Sequence, residues 1–222
     1  MKSIIRIVSA VTVSLNLFIS PFSSAQSDTE SGWYLKPTLS SSQLSDTSSS
    51  RAEIETFQGA AEIALDGGLS AGGILGFQYS SKWASEIGWE YRSNDSQVTL
   101  SDGQVFSDGN YASNIIYLNG VYSFDSSSRW HPYLGGGVAW IQEVDVDLEG
   151  LGPELSYSGD GSIGFQAFLG INYELNSDWS LLGEVRLARF GEVDLVGEGN
   201  GGSIDSLDYN PTSVQIGLKY NF

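Results

Sequence analysis

Residues 211–222 alternate apolar and polar positions without a break. One face of an extended strand would carry only apolar residues, namely Val214, Ile216, Leu218, Tyr220 and Phe222. Because side chains alternate between the two faces of a strand, this pattern predicts a β-strand with one apolar and one polar face. The same period of two recurs along most of the chain, so the pattern indicates an all-β protein.

Four tryptophans mark a repeat along the chain. Trp33, Trp83, Trp130 and Trp179 are 50, 47 and 49 residues apart, and each precedes an alternating run. Short polar turns stand before the last three of them. A repeat of this length indicates four hairpins and therefore eight strands. The predicted strands are 32–43, 69–80, 83–94, 110–124, 130–146, 162–175, 178–192 and 211–222.

The two faces of these strands distinguish a soluble sandwich from a membrane barrel. In the predicted strand 83–94, Trp83, Ile87 and Trp89 lie opposite Glu86 and Glu90. A sandwich would bury the apolar face, whereas a membrane barrel turns it towards lipid and keeps the polar face inside. Short and long turns alternate and aromatic residues recur at strand ends, which favours the membrane barrel. The expected aromatic girdle comprises Trp33, Tyr79, Trp83, Tyr122, Trp130, Tyr173, Trp179 and Tyr220.

The N-terminal segment predicts export. Lys2 and Arg6 make its start basic, residues 7–19 are mostly apolar, and small residues precede a cleavage site after Ala25. We therefore expect a signal peptide at 1–25 and a single barrel domain at 26–222. The apolar run of about a dozen residues is too short for a transmembrane helix, and no later segment approaches the roughly 18 consecutive apolar residues that such a helix needs.

The chain is strongly acidic, with a net charge of −17 at pH 7, and it has no cysteine. This charge argues against nucleic acid as a partner. Well over half of the acidic residues lie in four polar segments, in which Arg51 is the only basic residue. The segments are 44–68, 95–109, 147–161 and 193–210. One interpretation is four solvated, mobile loops. The other is that their carboxylates bind divalent cations bridging to lipopolysaccharide phosphates, or meet a basic partner.

The residues 132–137 (Pro-Tyr-Leu-Gly-Gly-Gly), the segment 165–189 and the terminal aromatic Phe222 resemble the OmpA-like transmembrane domain family. The resemblance implies an eight-stranded antiparallel up-and-down transmembrane β-barrel in the bacterial outer membrane. Short turns would face the periplasm, and the four polar segments would be long extracellular loops. Tyr220 and Phe222 would form the insertion signal that the barrel-assembly machinery recognises. The sequence lacks the peptidoglycan-binding domain of OmpA itself, so cell-wall anchoring is not implied.

Charged residues occupy the inward face of the predicted strands. They are Lys36, Glu86, Glu90, Arg92, Glu174, Glu184, Arg186 and Lys219. Eight strands enclose a lumen that side chains can fill, and unpaired charges in it are costly. We therefore predict an ion-pair network in which Arg186 and Lys36 or Lys219 meet Glu86, Glu90 or Glu184. Such a network is either a plug or a gate for a narrow path.

Catalytic chemistry has little support in the sequence. His131 is the only histidine, and Pro132 and Tyr133 follow it, with no serine at the spacing of a lipid-modifying His-x-Ser pair. We expect no catalytic residue, no metal site and no cofactor. The leading hypothesis is a non-enzymatic structural or surface-display barrel in contact with outer-membrane lipid and lipopolysaccharide. A narrow porin-like channel for ions or small solutes is the alternative, and an outer-membrane hydrolase comes third.

Overall fold

The structure, a computed structural model, describes residues 31–43, 46–150, 154–199 and 201–222. The predicted signal peptide at 1–25 lies outside these residues. The strands are β1 (Gly32–Gln43), β2 (Thr47–Ile54), β3 (Phe57–Leu65), β4 (Gly68–Gln78), β5 (Trp83–Leu100), β6 (Val105–Ser123), β7 (Trp130–Glu149), β8 (Leu155–Gly159), β9 (Ile163–Glu174), β10 (Trp179–Phe190), β11 (Val193–Gly197), β12 (Ser203–Leu207) and β13 (Thr212–Asn221). In the described part of the chain, no helix is long and apolar enough to cross a membrane.

Eight strands form a closed cycle of antiparallel pairs, in the order β1, β4, β5, β6, β7, β9, β10, β13 and back to β1. Short turns join β4 to β5, β6 to β7 and β9 to β10 at one end, which we call the lower end. Large apolar side chains cover the outside of this cycle, including Leu35, Ile87, Leu134, Phe165 and Ile216. We call it the belt section.

The other five strands close a second cycle above the belt section. From the upper half of β5, the pairing runs through β3, β2, β12, β11 and β8 to the upper half of β7, and β6 completes the circle. We call this upper cycle, with the upper halves of β5 to β7, the dome. The two sections therefore share three long strands, each of 18 to 20 residues.

The prediction of eight strands and four long loops was wrong for the dome. The described chain has thirteen strands, and the segments 44–68, 95–109, 147–161 and 193–210 are largely β-structure. Their polar residues face outwards, but small and branched apolar residues occur between them and face inwards. Val98 and Leu100 of β5 and Leu148 of β7 are examples. Burying these apolar faces against one another stabilises the pairing, so the segments fold as sheet.

The dome has an apolar core. Its largest buried side chains include Ile63, Leu148, Tyr157, Leu195 and Tyr209, each at most 1% exposed. Burial of a side chain of this size contributes about 1.5–3 kcal/mol. Tyr111 and Tyr209 stack at 5.3 Å between ring centroids, and Phe190 lies against Tyr209 at 5.5 Å. The dome is thus apolar inside and polar outside, whereas the belt section has the opposite arrangement.

Candidate functional site

The interior of the belt section holds three ion pairs between almost fully buried side chains. Lys36 of β1 pairs with Glu86 of β5. Within β5, the Arg92 guanidinium lies 2.6 Å from the Glu90 carboxylate. Within β10, the Arg186 guanidinium donates to Glu184 at 2.7 Å and, through Nε, at 3.0 Å. Pairs such as Glu90–Arg92 form along a strand because positions i and i+2 face the same side.

Buried hydroxyl and amide groups extend this network across the lumen. Tyr34 donates a hydrogen bond to Glu86 at 2.8 Å, and Tyr133 donates one to Glu184 at 3.0 Å. Gln166 donates to Asn119 at 2.7 Å. The two tyrosine bonds give Glu86 and Glu184 further partners, which lowers the cost of keeping charge in a narrow interior.

Aromatic rings fill the remaining space, and glycines make room for them. The inward-facing Tyr34 lies over Gly76 of the neighbouring strand, and Tyr117 lies over Gly88 in the same way. Any side chain at these glycines would clash with the ring. The Arg186 guanidinium in turn lies 4.6 Å from the Tyr117 ring centroid, a cation–π contact. Sequence analysis missed these tyrosines. The signal that could have found them is a tyrosine at an inward-facing strand position with a glycine in the neighbouring strand.

Two of the predicted network members stand apart from the three ion pairs. Glu174 lies at the lower end, where its carboxylate is 3.3 Å from His131. Lys219 forms no ion pair with any residue that the structure describes. Its Nζ donates to the Gln78 side-chain oxygen at 3.5 Å and lies 4.1 Å from the Tyr34 ring centroid.

The predicted girdle residues gather at the lower end of the belt section. Four tryptophans each contact an aromatic ring on a neighbouring strand, with centroid distances of 4.6 to 5.0 Å. The pairs are Trp33–Phe77, Trp83–Tyr122, Trp130–Tyr173 and Trp179–Tyr220. Tyr220 also contacts Phe222 at 5.2 Å, and Phe222 is largely exposed. Amphipathic rings at one level suit the boundary between hydrocarbon and water.

Cavities are small inside the barrel and larger at its surface. A cavity of about 10 Å³, roughly the volume for one water, lies between the ion pairs and the dome core. Arg92, Tyr117 and Arg186 line it. An open groove of about 680 Å³ lies outside, where β7 changes partner from β9 to β8, and Glu143 and Asp194 are among its lining residues. A vestibule of about 750 Å³ opens at the lower end.

The outer surface of the dome is acidic. Asp145 lies near Glu143, Asp147 and Glu198, and partial burial together with these charges raises the pKa of its carboxyl. Arg51 is mostly exposed and reaches Asp205 only at 4.0 Å. Among the described residues, no group of three or more His, Cys, Asp or Glu side chains is arranged to hold a metal ion.

Comparisons with known proteins agree with this architecture. Residues 12–222 match the family model described as outer membrane protein beta-barrel domain. Outer membrane protein W of Vibrio cholerae serotype O1 is 23% identical over 168 residues, which cover 72% of this chain and 77% of that protein.

Solved structures share the fold at low sequence identity. The crystal structure of the outer membrane protein OprG from Pseudomonas aeruginosa has a TM-score of 0.66 and 17% identity, and the match covers 86% of this chain and 96% of that one. Neisserial surface protein A has a TM-score of 0.53 and 16% identity, with 86% and 97% covered. The OmpA-like label is narrower than these matches support. The chain belongs to the outer membrane protein β-barrel domain family, and it is a protein of the bacterial outer membrane.

Proposed function

We propose that the protein is a closed, non-enzymatic barrel that holds a rigid acidic dome at the cell surface. The observation that carries this proposal is the filling of the interior by two consecutive layers. The ion pairs and aromatic rings close the belt section, and the apolar core closes the dome above it. The dome surface is then the part of the molecule that is free to meet other molecules outside the cell.

A gated ion channel ranks behind this proposal. A path for ions would need the buried pairs, such as Arg186 with Glu184, to separate. It would also have to pass the dome, where Leu195 and Ile204 have no exposed surface. Moving an ion through an apolar core is expensive, because nothing there replaces its water. The interior charges therefore fit a plug better than a gate.

Passage of small apolar molecules is the second candidate, and the lining of the dome favours it. A solute that entered the dome would meet side chains such as Ile141, Val146 and Leu195. The barrel wall also changes its pairing just above the belt section, beside the open groove at Gln142 and Ser162. A transient opening there would connect an apolar interior to the lipid. Such an opening would require the packed core to rearrange, so the passage of apolar molecules ranks below the closed barrel.

Two measurements on refolded residues 26–222 test the proposal. In planar bilayers we expect no discrete ion-channel openings, either for the unaltered protein or for Arg186→Ala. On vesicles we expect the protein to bind polylysine, a cationic probe, through the dome. Replacing Glu53, Glu62, Asp95 and Asp194, which are all exposed, by their amides should weaken that binding. Regular openings, or polylysine binding that is indifferent to these replacements, would overturn the proposal. Uptake of an apolar dye into vesicles would promote the second candidate.

A further inference from the structure

The vestibule at the lower end contains a partly buried cation, Lys219, that forms no ion pair with any side chain in the described part of the chain. Of the residues that the structure describes, seven with charged side chains face the interior of the belt section above the mouth: Lys36, Arg92, Arg186 and Lys219 are cations, and Glu86, Glu90 and Glu184 are carboxylates. Each carboxylate pairs with one cation, and Lys219 is left over. An unpaired charge in a narrow protein interior is costly unless a solvent or ligand group meets it.

The polar residues Ser180 and Asn172 line the same vestibule as Lys219. Ser180 of β10 is the direct cross-strand partner of Lys219 and is 8% exposed. Asn172 of β9 lines the same vestibule, and its buried side-chain oxygen has no hydrogen-bond partner among the described residues. Because the two ends of an amide can exchange by a flip, Asn172 can also present two N–H donors. Lys219 itself uses only one donor, in a long bond to Gln78.

We propose that the vestibule is a binding site for a small oxyanion, a carboxylate or a phosphate. Lys219 supplies the charge, and Ser180 and Asn172 supply neutral hydrogen-bond donors. The vestibule volume of about 750 Å³ is in the range of small-molecule pockets. The resemblance to the OmpA-like family implies that the short turns at the lower end face the periplasm, and the ligand would then come from that compartment. This site is independent of the acidic dome and of its proposed role.

Two carboxylates line the vestibule, those of Asp125 and Glu174. Asp125 is paired with Lys82 at 2.7 Å, so Glu174 is the one that could compete for Lys219. It is the cross-strand partner of Ser180 on the side opposite Lys219. Its carboxylate lies beside His131 at 3.3 Å and is about half exposed. Since it repels an incoming anion, its removal should strengthen oxyanion binding. If Glu174 instead forms an ion pair with Lys219, the charge of Lys219 is already balanced and no added anion is needed.

The test uses the refolded protein in maltoside micelles, which carry no phosphate. Inorganic phosphate and succinate are titrated separately while the NMR signal of the Lys219 ε-carbon is followed. We expect saturable shifts, at least about tenfold weaker binding in Lys219→Gln by calorimetry, and stronger binding in Glu174→Gln. Arg129→Gln is the matched control, because Arg129 is exposed on a lower turn, does not line the vestibule and forms no ion pair among the described residues.

Three results would overturn the proposal. The first is the absence of a saturable shift at Lys219 in the unaltered protein. The second is equal weakening by Arg129→Gln and Lys219→Gln, which would indicate non-specific attraction to the lower end. The third is binding that occurs only in Glu174→Gln, which would mean that Glu174 neutralises Lys219. None of these results depends on polylysine binding or conductance, so failure here is distinguishable from failure of the dome proposal.

Discussion

The lower and upper halves of β5 present opposite chemistry on an unbroken alternation. In the lower half, Ile87 and Trp89 face outwards, about half exposed, while Glu86 is buried inside. In the upper half, Gln97 faces outwards, and Val98 and Leu100 are buried inside. The backbone period is the same throughout, so the change lies only in which face is apolar. The surroundings of each half decide which face that must be, lipid below and water above.

The two sections therefore depend on different interactions for their interiors. The dome is built like the core of a soluble barrel, in which apolar burial is the main stabilising contribution. The belt section must keep polar groups inside, so pairing and hydrogen bonding of each buried charge become decisive. A charge placed inside the dome, or a charge removed from the interior of the belt section, should therefore lower the stability of that section selectively.

A carboxylate inside the dome should have the largest effect. Leu195→Asp places a charge where the side chain has no exposed surface, and we expect a loss of about 4 kcal/mol or more from dome stability. Val196→Asp, on the next residue of β11, faces solvent and should cost little. Limited proteolysis in micelles measures the difference: Leu195→Asp should become sensitive within 47–65 and 193–207 while the belt section resists. Equal sensitivity of the two variants would contradict an apolar dome core.

Loss of one interior carboxylate should come next. Glu86→Gln leaves Lys36 charged and without its partner, and we expect a cost of about 3 kcal/mol. The double variant Lys36→Met, Glu86→Gln removes both charges and should recover most of that loss. Urea unfolding in lipid vesicles gives these values, with the half-exposed Glu174→Gln as the control. A double variant as unstable as the single one would argue against the pairing as the stabilising feature.

A methyl group under an interior ring should have a moderate effect on the belt section. Gly88→Ala forces the Tyr117 ring away, and we expect a destabilisation of about 2 kcal/mol. Gly73→Ala is the matched control, since a methyl group there meets no atom within 4 Å. The same unfolding assay compares the two. If both alanines cost the same, the glycine at position 88 is not there to make room for the ring.

The smallest effect should be the pH dependence of the dome at Asp145. Its folded pKa is raised, so the folded state holds the proton more tightly than the unfolded state does. The resulting stabilisation is complete below the ordinary carboxyl pKa and is lost as pH rises through the raised pKa. Asp145→Asn should therefore exceed the unaltered protein in stability at pH 7, and the difference should shrink on acidification. A stability difference that grows at low pH would contradict a raised pKa for Asp145.

The sequence predicted the belt strands well because their period and turns are local signals. The first predicted strand, 32–43, has the bounds of β1, and the last, 211–222, extends β13 by one residue at each end. The parity of these strands also placed Lys36, Glu86 and Arg186 on the inward face. Which charges meet was not predictable, because it depends on the stagger between strands.

The dome escaped prediction for two physical reasons. Its inward residues include small ones such as Ala52 and Ala61, which give a weak alternation among serines and acidic residues. Its pairings also join distant parts of the chain, as where Ile204 of β12 meets Ala52 of β2. Acidic composition therefore suggested loops, although acidic residues such as Glu53, Glu62 and Asp194 lie on the outer face of a sheet and others lie in the short turns between its strands.

The most direct test of the two opposed sections is a nitroxide scan along β5 in lipid vesicles. The chain has no cysteine, so single cysteines at 85–100 can be labelled one at a time. We expect a period of two throughout, with oxygen, a lipid-soluble quencher, reaching positions 87, 89 and 91, and an aqueous nickel complex reaching 95 and 97. Position 98 should be shielded from both. Uniform access of the nickel complex and high label mobility at 95–100 would mean a solvated loop in place of the dome.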